Sequence, residues 1–369
     1  MYRGSGIRRD QVTTDGIPCV RYGEIYTTYN ISFIECVSHT QESLIPNPKY
    51  FEHGDLLFAI TGESVEDIGK TIAYLGKEKC LLGGDIICMK HNENPKYLSY
   101  ALSTPDAIRQ KGLGKTKLKV VHTNAPSLQS IKIPLPSPSE QERIVERLDA
   151  AFAQIDELKS NAEKQLAEAR ALFQSALTQA MQPKPGWQEK KLKEICRVIN
   201  GRAYAKHEML NEGKYRLLRV GNFFTNNQWF YSDLELEEDK YCDYGDLLYA
   251  WSASFGPRIW DGEKVIYHYH IWKMICSDKI DKLFLFYWLD SDMLKRQTMT
   301  NLHGTTMAHI TKNIIENSIV VFPSMPIQKE IASNLDSISR RVKELKEISR
   351  KTAAECDAMK QALLRQIFE

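Results

Sequence analysis

The longest regular pattern of apolar positions lies in residues 139–182, a stretch without glycine or proline. Apolar or small residues recur there in steps of four and three from Ile144 to Ala176, with one slip near 162–166, and this spacing predicts a coiled-coil helix. Ser139 and Glu142 have the spacing of a capping box. A second such pattern ends the chain, so we expect two helices of about 40 residues, each roughly 60 Å long.

Shorter patterns indicate strands and short helices outside these two segments. Apolar runs bounded by polar turns predict strands at 56–60, 71–75, 86–89, 247–251, 264–270 and 319–322. Short amphipathic helices are expected at 96–110 and 282–296. The predicted fold class is α+β.

Three motifs appear twice, in the same order and roughly 190 residues apart. Their paired positions are 20–25 and 218–223, 53–59 and 244–250, and 136–141 and 323–328. Between the motifs the two halves diverge. This pattern favours two related domains that recognise different targets, although a duplicated scaffold with drifted loops also remains open.

The duplication predicts four segments: a recognition domain at 1–138, a spacer helix at 139–182, a second recognition domain at 183–325 and a second helix at 326–369. The first helix delivers the chain to the second domain. If the second helix packs on the first, it must run back, and the pair is antiparallel. The two recognition domains are then expected at opposite ends of the pair.

Composition and charge restrict the class of protein. The net charge is only +2 and the apolar content 43%, so DNA binding would require local basic patches. No apolar run is long enough to span a membrane, which predicts a cytoplasmic protein without a membrane partner. The eight cysteines form no CxxC pair, and we expect reduced, mostly buried thiols.

The entry into each long helix resembles a known family. Residues 140–145 (EQERIV) after a proline-rich lead-in, and residues 326–331 (PIQKEI), are similar to the conserved regions of type I restriction–modification specificity subunits. The GDLL elements before divergent loops fit the target-recognition domains of that family. The resemblance covers essentially the whole chain, but its start departs from the pattern, since about a dozen residues present before Asn200 have no counterpart before Tyr2.

The resemblance implies a non-catalytic subunit that reads double-stranded DNA at a split, asymmetric site. It implies two adenine-specific methyltransferase subunits as partners, and cleavage of unmodified DNA when restriction subunits join them. It implies no cofactor for this chain itself.

Motifs for catalysis fail at required positions. Residues 47–50 and 94–97 (NPKY) carry lysine where an amino-methyltransferase motif needs a second proline. The phosphate-loop resemblance at 112–116 lacks the required glycine at Arg109, and His207-Glu208 has Asn211 in place of the second zinc ligand. His268 and His270 lie two apart on a predicted strand without a third ligand. We therefore expect neither a catalytic residue nor a metal site.

Basic and amide side chains near the shared motifs are the candidate DNA contacts. The stretch 109–132 has six basic residues and no acidic one, and its glycines suggest a mobile loop along the phosphate backbone, although an ordinary solvated loop also fits. Base reading is expected from the loops after the GDLL strands. The candidates are Arg21, Ser64, Lys70, Lys111, Lys115, Lys117 and Lys119 in the first domain, and Arg219, Asn222, Ser252, Ser254, Arg258, Lys295, Arg296, Thr305 and Thr306 in the second.

The sequence favours a specificity subunit that works inside a methyltransferase complex. A stand-alone DNA-binding or regulatory protein of the same fold is the alternative, and an unrecognised enzyme is the third. The first two differ in partner binding, because the helix pair would bury extra apolar surface against another protein only in the complex.

Overall fold

The computed structural model describes residues 1–65, 67–114, 120–252, 254–299 and 311–369. The described chain divides into two compact units. Unit 1 comprises Met1–Glu163 with Ile348–Glu369, and unit 2 comprises Lys164–Glu347. Both long helices are shared in this division, so the four segments predicted from the sequence remain a prediction.

Unit 1 is built from short strands and helices, with the first part of one long helix and the last part of the other. Its elements are β1 (Tyr2–Arg3), β2 (Val12–Thr13), β3 (Ile17–Val20), α1 (Tyr22–Thr27), β4 (Ser32–Phe33), β5 (Ser38–Thr40), β6 (Tyr50–Phe51), β7 (Leu56–Ala59), β8 (Thr61–Gly62), β9 (Thr71–Tyr74), β10 (Cys80–Leu82), β11 (Ile86–Met89), α2 (Pro95–Ala101), α3 (Pro105–Gly112), β12 (Val121–His122), α4 (Ala125–Gln129) and α5 (Pro138–Ala180).

Unit 2 has a similar set of elements. They are β13 (Gln188–Lys191), β14 (Cys196–Asn200), β15 (Tyr215–Leu218), α6 (Val220–Phe224), β16 (Phe230–Ser232), β17 (Tyr241–Cys242), β18 (Leu247–Ser252), β19 (Ser254–Ile259), β20 (Val265–Tyr267), β21 (Ile271–Cys276), α7 (Lys282–Asp290), α8 (Asp292–Met299), α9 (Lys312–Asn317), β22 (Ile319–Phe322) and α10 (Met325–Phe368).

The strand order confirms the duplication. The sheets of unit 1 have the orders β1-β11-β7-β9-β4 and β2-β5-β3-β10-β6, and those of unit 2 have β14-β21-β18-β19 and β16-β15-β20-β17. The central pairs correspond, since β3 is parallel to β10 as β15 is to β20. The fold is α+β with two repeated units.

The repeated GDLL motif forms the same turn before β7 and before β18. Gly54 and Gly245 both have positive φ, 88° and 84°, a conformation that glycine adopts without a steric penalty. The carboxylates of Asp55 and Asp246 each accept a hydrogen bond, 2.8 Å long, from the backbone N–H three residues earlier. The four strand residues after Asp55, Leu56–Ala59, are fully buried, as expected for a strand covered on both faces.

The long helices form, and their ends in unit 1 run antiparallel. Asp156 pairs with Lys360 at 2.5 Å and Lys159 with Asp357 at 3.2 Å. Residue numbers therefore increase along α5 in the direction in which they decrease along α10. The predicted apolar pattern is only partly buried, because Leu158 is 52% exposed. Leucines on that pattern therefore do not all contribute to helix pairing.

The capping residue of α5 differs from the predicted one. The helix begins at Pro138, and the Ser137 hydroxyl accepts a bond of 3.4 Å from the Glu140 N–H. The predicted box at Ser139 was wrong because the helix begins one residue earlier, at Pro138. Proline suits the first helical position because it lacks the N–H that a helix start leaves unpaired.

Two further boundaries needed correction. The helices expected at 96–110 and 282–296 are each two helices, because Thr104 and Ser291 interrupt them. The strand expected at 264–270 ends at Tyr267, and a turn precedes β21, which the sequence pattern did not reveal. His268 and His270 therefore lie beside a turn and not along one strand.

Candidate nucleic-acid interface

A short helix follows β3 in unit 1 and β15 in unit 2, and an arginine precedes each of these helices. Arg21 is the N-cap residue of α1 and Arg219 that of α6, both with extended backbone. Each arginine lines a cleft beside its helix. The two arginines singled out by the repeated sequence therefore occupy equivalent positions.

The cleft of unit 2 has a volume of about 240 Å³ and is rich in hydrogen-bonding side chains. It is lined by Arg219, Val220, Gly221, Asn222, Asn226, Gln228, Phe230, His268 and His270. The guanidinium of Arg219 lies 5.2 Å from the centre of the Phe230 ring. This cation–π contact holds the guanidinium against the aromatic ring.

Asn222 organises one wall of this cleft. Its Nδ2 donates to the carbonyls of Asn226, at 3.0 Å, and Gln228, at 2.7 Å. These bonds hold the loop after α6 and leave the side-chain oxygen of Asn222 as the acceptor.

His268 supplies a neutral imidazole to the same cleft. Burial, followed by the nearby His270 and Arg219, lowers the pKa of His268 from 6.5 to about 4. At neutral pH the ring therefore carries one donor and one acceptor nitrogen. Such a group can recognise a base edge without adding a charge.

The β18–β19 hairpin lies against the same corner of unit 2. Arg258 donates to the Phe223 carbonyl at 2.7 Å, which joins the hairpin to α6. Trp251 Nε1 donates to the Tyr269 carbonyl at 2.9 Å. Phe255 at the hairpin remains 38% exposed. The hairpin, α6 and the turn before β21 thus form one continuous surface.

The predicted hairpin residues differ in their accessibility. Ser254 is exposed, whereas Ser252 is buried. Arg258 is committed to Phe223 and to an ion pair with Asp261 at 2.8 Å. Ser254 is therefore the better placed of the two serines for contact with a ligand, and Arg258 positions the hairpin.

The cleft around Arg21 in unit 1 has a different chemical character. Arg21 forms an ion pair with the buried Glu24 at 3.0 Å, and Glu24 also accepts from the Ser38 hydroxyl at 2.7 Å. Arg9 lines this cleft opposite them, with Asp85. The carboxylates offset part of the positive charge that the arginines bring.

A second cleft of unit 1 shares Tyr22 with the first and also contains Thr61, Glu63 and Asp67. Ser64 donates to Asp67 at 2.6 Å. The Tyr22 side chain is 42% exposed. The loop after β7 therefore presents carboxylates and hydroxyls, in contrast to the amides and imidazoles of unit 2.

Lys70 points its amine inward. It donates to the carbonyls of Tyr29, at 2.9 Å, and Tyr26, at 3.4 Å, and burial lowers its pKa. Contact of Lys70 with DNA would require these bonds to be replaced.

Lys111 corrects a prediction, because it does not lie on an open basic loop. It belongs to α3 and is 3% exposed, with its amine donating to the Leu102 carbonyl at 2.6 Å and the Thr71 hydroxyl at 3.0 Å. Burial lowers the pKa of Lys111 to about 7. In this conformation the amine is inaccessible to a phosphate.

The remaining basic candidates are only partly placed. Lys295 and Arg296 lie exposed on α8, and Lys295 forms an ion pair with Asp292 at 3.3 Å. The predicted contacts Lys115, Lys117, Lys119, Thr305 and Thr306 lie outside the described residues.

Sequence reasoning missed several cleft residues that the fold brings together. Asn226 and Gln228 line the cleft of unit 2, and Arg9 lines that of unit 1. The amide-rich run at 226–228 was the signal that could have revealed the first two. For His268 the sequence predicted only that it is not part of a metal site.

The described part of the chain contains no group of three or more His, Cys, Asp or Glu side chains that could hold a metal ion. None of its helices is long and apolar enough to cross a membrane.

The two repeated units thus present different polar clefts at equivalent positions. Comparison with known proteins makes the class specific. The model of the type I restriction modification DNA specificity domain matches residues 24–168 and again residues 184–354. The chain belongs to this family of type I restriction–modification specificity subunits, whose role is recognition and not catalysis.

Individual relatives agree with this assignment. The chain is 25% identical over 360 residues to the MjaVIII specificity subunit of Methanocaldococcus jannaschii, covering 89% of this chain and 80% of that one. It is 24% identical to the putative MjaX specificity subunit of the same organism, covering 84% and 76% of the two chains.

Solved structures show the same fold. A chain from a structure on complex assembly and conformational transition of the type I R-M system superposes with a TM-score of 0.77 at 19% identity, covering 99% of this chain and 94% of that one. The HsdS subunit from Thermoanaerobacter tengcongensis gives 0.56 at 18% identity, covering 100% and 94%.

Proposed function

We propose that each unit reads one half of a split, asymmetric double-stranded DNA target, and that the chain positions two adenine methyltransferase subunits on it. With restriction subunits added, the complex would also cleave unmodified DNA. The observation that carries the proposal is the pair of equivalent corners at Arg21 and Arg219, which have the same backbone and different polar surroundings.

The chemistry of the two corners supports two different half-sites. The remaining acceptor oxygen of Asn222 suits the exocyclic amino group of adenine or cytosine, and arginine suits guanine, in the major groove. Carboxylates such as Glu63 accept from the amino group of cytosine. One chain with both surfaces would therefore prefer a target without two-fold symmetry.

Phosphate contacts would come from exposed basic groups of the two units. Arg9, Lys295 and Arg296 are suited to this role by their exposure. Lys115, Lys117 and Lys119 remain predicted contacts. Such contacts orient the protein on DNA and carry no sequence information themselves.

We also infer that α5 and α10 set the spacer between the half-sites. Adding one heptad to both helices keeps the apolar repeat and adds about 10 Å, which is about three base pairs. The recognised spacer should lengthen accordingly, with both half-sites unchanged.

The experiment that tests the proposal is a map of N6-methyladenine in DNA from a methylation-free host. The chain is expressed alone, and with an adenine methyltransferase subunit of the same restriction–modification system. Methylation only in the second case, at a two-part asymmetric site, is the expected result. Methylation by the chain alone would contradict the recognition role. Absence of methylation with a competent partner would instead favour the stand-alone DNA-binding alternative.

A further inference from the structure

Two cysteines of unit 2 face each other across neighbouring strands. Cys196 begins β14 and Cys276 ends β21, and the two residues are directly opposite each other in the antiparallel ladder. Both are free thiols in this structure. They pack on the same face of the sheet as Val198 and Met274, because side chains alternate between the two faces along a strand. The strand register therefore places one thiol beside the other.

The hydrogen bonds of the ladder show which kind of pair the two cysteines form. In the preceding pair of the same register, the Ser277 N–H donates to the Ile195 carbonyl at 2.8 Å. Hydrogen-bonded and non-hydrogen-bonded pairs alternate in an antiparallel ladder, so Cys196 and Cys276 form a non-hydrogen-bonded pair. Opposite Cα atoms in such a pair are about 4.5 Å apart, within the range of about 4.4–6.8 Å that a disulfide spans.

The two thiols differ in accessibility and in acidity. Cys196 is 3% exposed, whereas Cys276 is half-buried. A hydrogen bond between the two thiols raises the pKa of Cys196 and lowers the pKa of Cys276, against the opposing effect of burial on Cys276. Since the thiolate is the reactive form of cysteine, a reagent from solvent would react first with Cys276.

The segment between the two cysteines builds the cleft of unit 2. It contains β15 to β20 and all of the residues that line this cleft, from Arg219 to His270. A covalent bond between the two cysteines would close this segment into a loop. In the chain-entropy model, closing a long loop restricts the unfolded chain and so favours the folded unit.

We propose that Cys196 and Cys276 are a covalent modification site that reacts with a small-molecule disulfide of the glutathione type, and that the product is a cross-strand disulfide in unit 2. The bond would join β14 to β21 at the two ends of the segment that carries the cleft. Because the strands already have the required register, the cleft would keep its shape. This modification is independent of DNA recognition.

The chemistry is a thiol–disulfide exchange in two steps. The Cys276 thiolate attacks one sulfur of the small disulfide, whose S–S bond breaks and releases one small thiolate. The Cys196 thiolate then attacks the Cys276 sulfur of the mixed disulfide and releases the second small thiolate. The protons of the two protein thiols go to the two released thiolates. Two protein thiols are thus oxidised, and one small disulfide is reduced to two small thiols.

A second pair of interacting thiols, Cys36 and Cys80 in unit 1, serves as an internal comparison. Cys80 lies on β10, whereas Cys36 lies in the connection between β4 and β5. The strand register that sets the distance between Cys196 and Cys276 therefore does not set the distance between these two. A map of the crosslinked peptides distinguishes the two pairs.

Incubation of the folded, full-length chain in mixtures of reduced and oxidised glutathione tests the proposal. After alkylation of the remaining thiols, mass spectrometry should show the loss of two hydrogens from the protein and a crosslinked pair of peptides that contain Cys196 and Cys276. Cys276→Ser should abolish this crosslink. Cys242→Ala, at a buried cysteine of the same unit, should leave it unchanged.

Unfolding of the wild-type chain tests the effect of the bond without any substitution. All six tryptophans lie in unit 2, so their fluorescence reports the unfolding of that unit. The urea midpoint of the oxidised chain should be higher by about 1 M. Addition of a reducing thiol should return the midpoint to its original value.

Several results would overturn the proposal. One is a glutathione adduct that persists at Cys276 without a crosslink, and another is a crosslink confined to Cys36 and Cys80. A crosslink between Cys196 and Cys276 that forms only in urea-unfolded protein would show that the folded ladder does not place the thiols for reaction. An unchanged urea midpoint of the crosslinked chain would contradict the stabilisation of unit 2.

Discussion

Gln141 and Gln328 make two corresponding hydrogen bonds in the two units. Each accepts from the backbone N–H of the residue that caps a shorter helix, Asn94 at 3.1 Å and Asp281 at 2.8 Å. Each also donates to the carbonyl of the proline five residues before it, at 3.0 and 2.9 Å. Both side chains are buried, with exposures of 0% and 1%. The helix-entry motif therefore fixes each long helix to its own recognition unit.

Replacing Gln328 with alanine should destabilise unit 2. The change leaves the Asp281 N–H and the carbonyls of Lys279 and Pro323 without the buried side chain that pairs with them. Such a loss costs about 1–3 kcal/mol. Urea unfolding monitored by tryptophan fluorescence would measure the difference. Gln165→Ala, at an exposed site on α5, is the matched control, and an equal effect of both variants would contradict the assigned role.

The free energy of unfolding of unit 2 should depend on pH in a way that reflects the lowered pKa of His268. Its folded pKa, about 4, lies below the ordinary value of 6.5, so the unfolded chain binds more protons between these two values. The free energy of unfolding should therefore fall as the pH drops from about 6.5 toward 4. His268→Asn should reduce this fall, by about 1 kcal/mol after allowance for solvent screening.

Urea titrations at a series of pH values, with wild type and variant side by side, give that difference directly. His207→Asn is the control at a histidine outside the cleft. Parallel pH profiles for wild type and His268→Asn would contradict a depressed pKa.

The sequence predicted elements whose signal is local. The repeated GDLL motif predicted a turn followed by a strand, and regular apolar spacing predicted α5 and α10. These features depend on a few neighbouring residues, which is why one sequence was sufficient. Two-residue strands such as β1 and β4 have no such pattern, since only pairing with distant residues defines them.

Candidate site residues were harder to predict because burial is a tertiary property. Because Lys111 belongs to a run of basic residues, it was predicted to contact phosphate like its neighbours. In the structure it lies on the buried face of α3. The cleft of unit 2 combines Arg219 with His268, which are far apart in sequence. Equivalent placement of Arg21 and Arg219 was predictable because both follow the same repeated strand.

Lys111→Met should leave DNA affinity unchanged and alter the pH dependence of stability. Burial lowers the pKa of Lys111 to about 7, below the unfolded value of about 10.4. The unfolded chain therefore binds more protons between pH 7 and pH 10, and wild-type stability should rise through this range. The rise should be smaller in the variant, whose side chain has no titrating group.

Thermal unfolding at pH 7 and pH 9.5 measures this difference in stability, and DNA titrations at two salt concentrations test whether DNA affinity is unchanged. The comparison variant is Lys132→Met, which replaces an exposed lysine of the same basic stretch. A DNA-binding defect of Lys111→Met in a fully folded protein would restore the original prediction of a phosphate contact.

Arg219→Ala should change which sequence is methylated, and not only how strongly DNA is bound. A base contact by arginine contributes about 1–3 kcal/mol of discrimination at one position. A phosphate contact instead weakens binding to all sequences and reduces the salt slope by about one. Since the Phe230 ring holds Arg219 inside the amide-lined cleft, we expect a relaxed base preference in the half-site of unit 2 alone.

Arg296→Ala, on exposed α8, should show the uniform loss of DNA binding and the lower salt slope. Methylation maps with both variants distinguish the two roles. A uniform loss with Arg219→Ala would reassign this residue to the phosphate backbone.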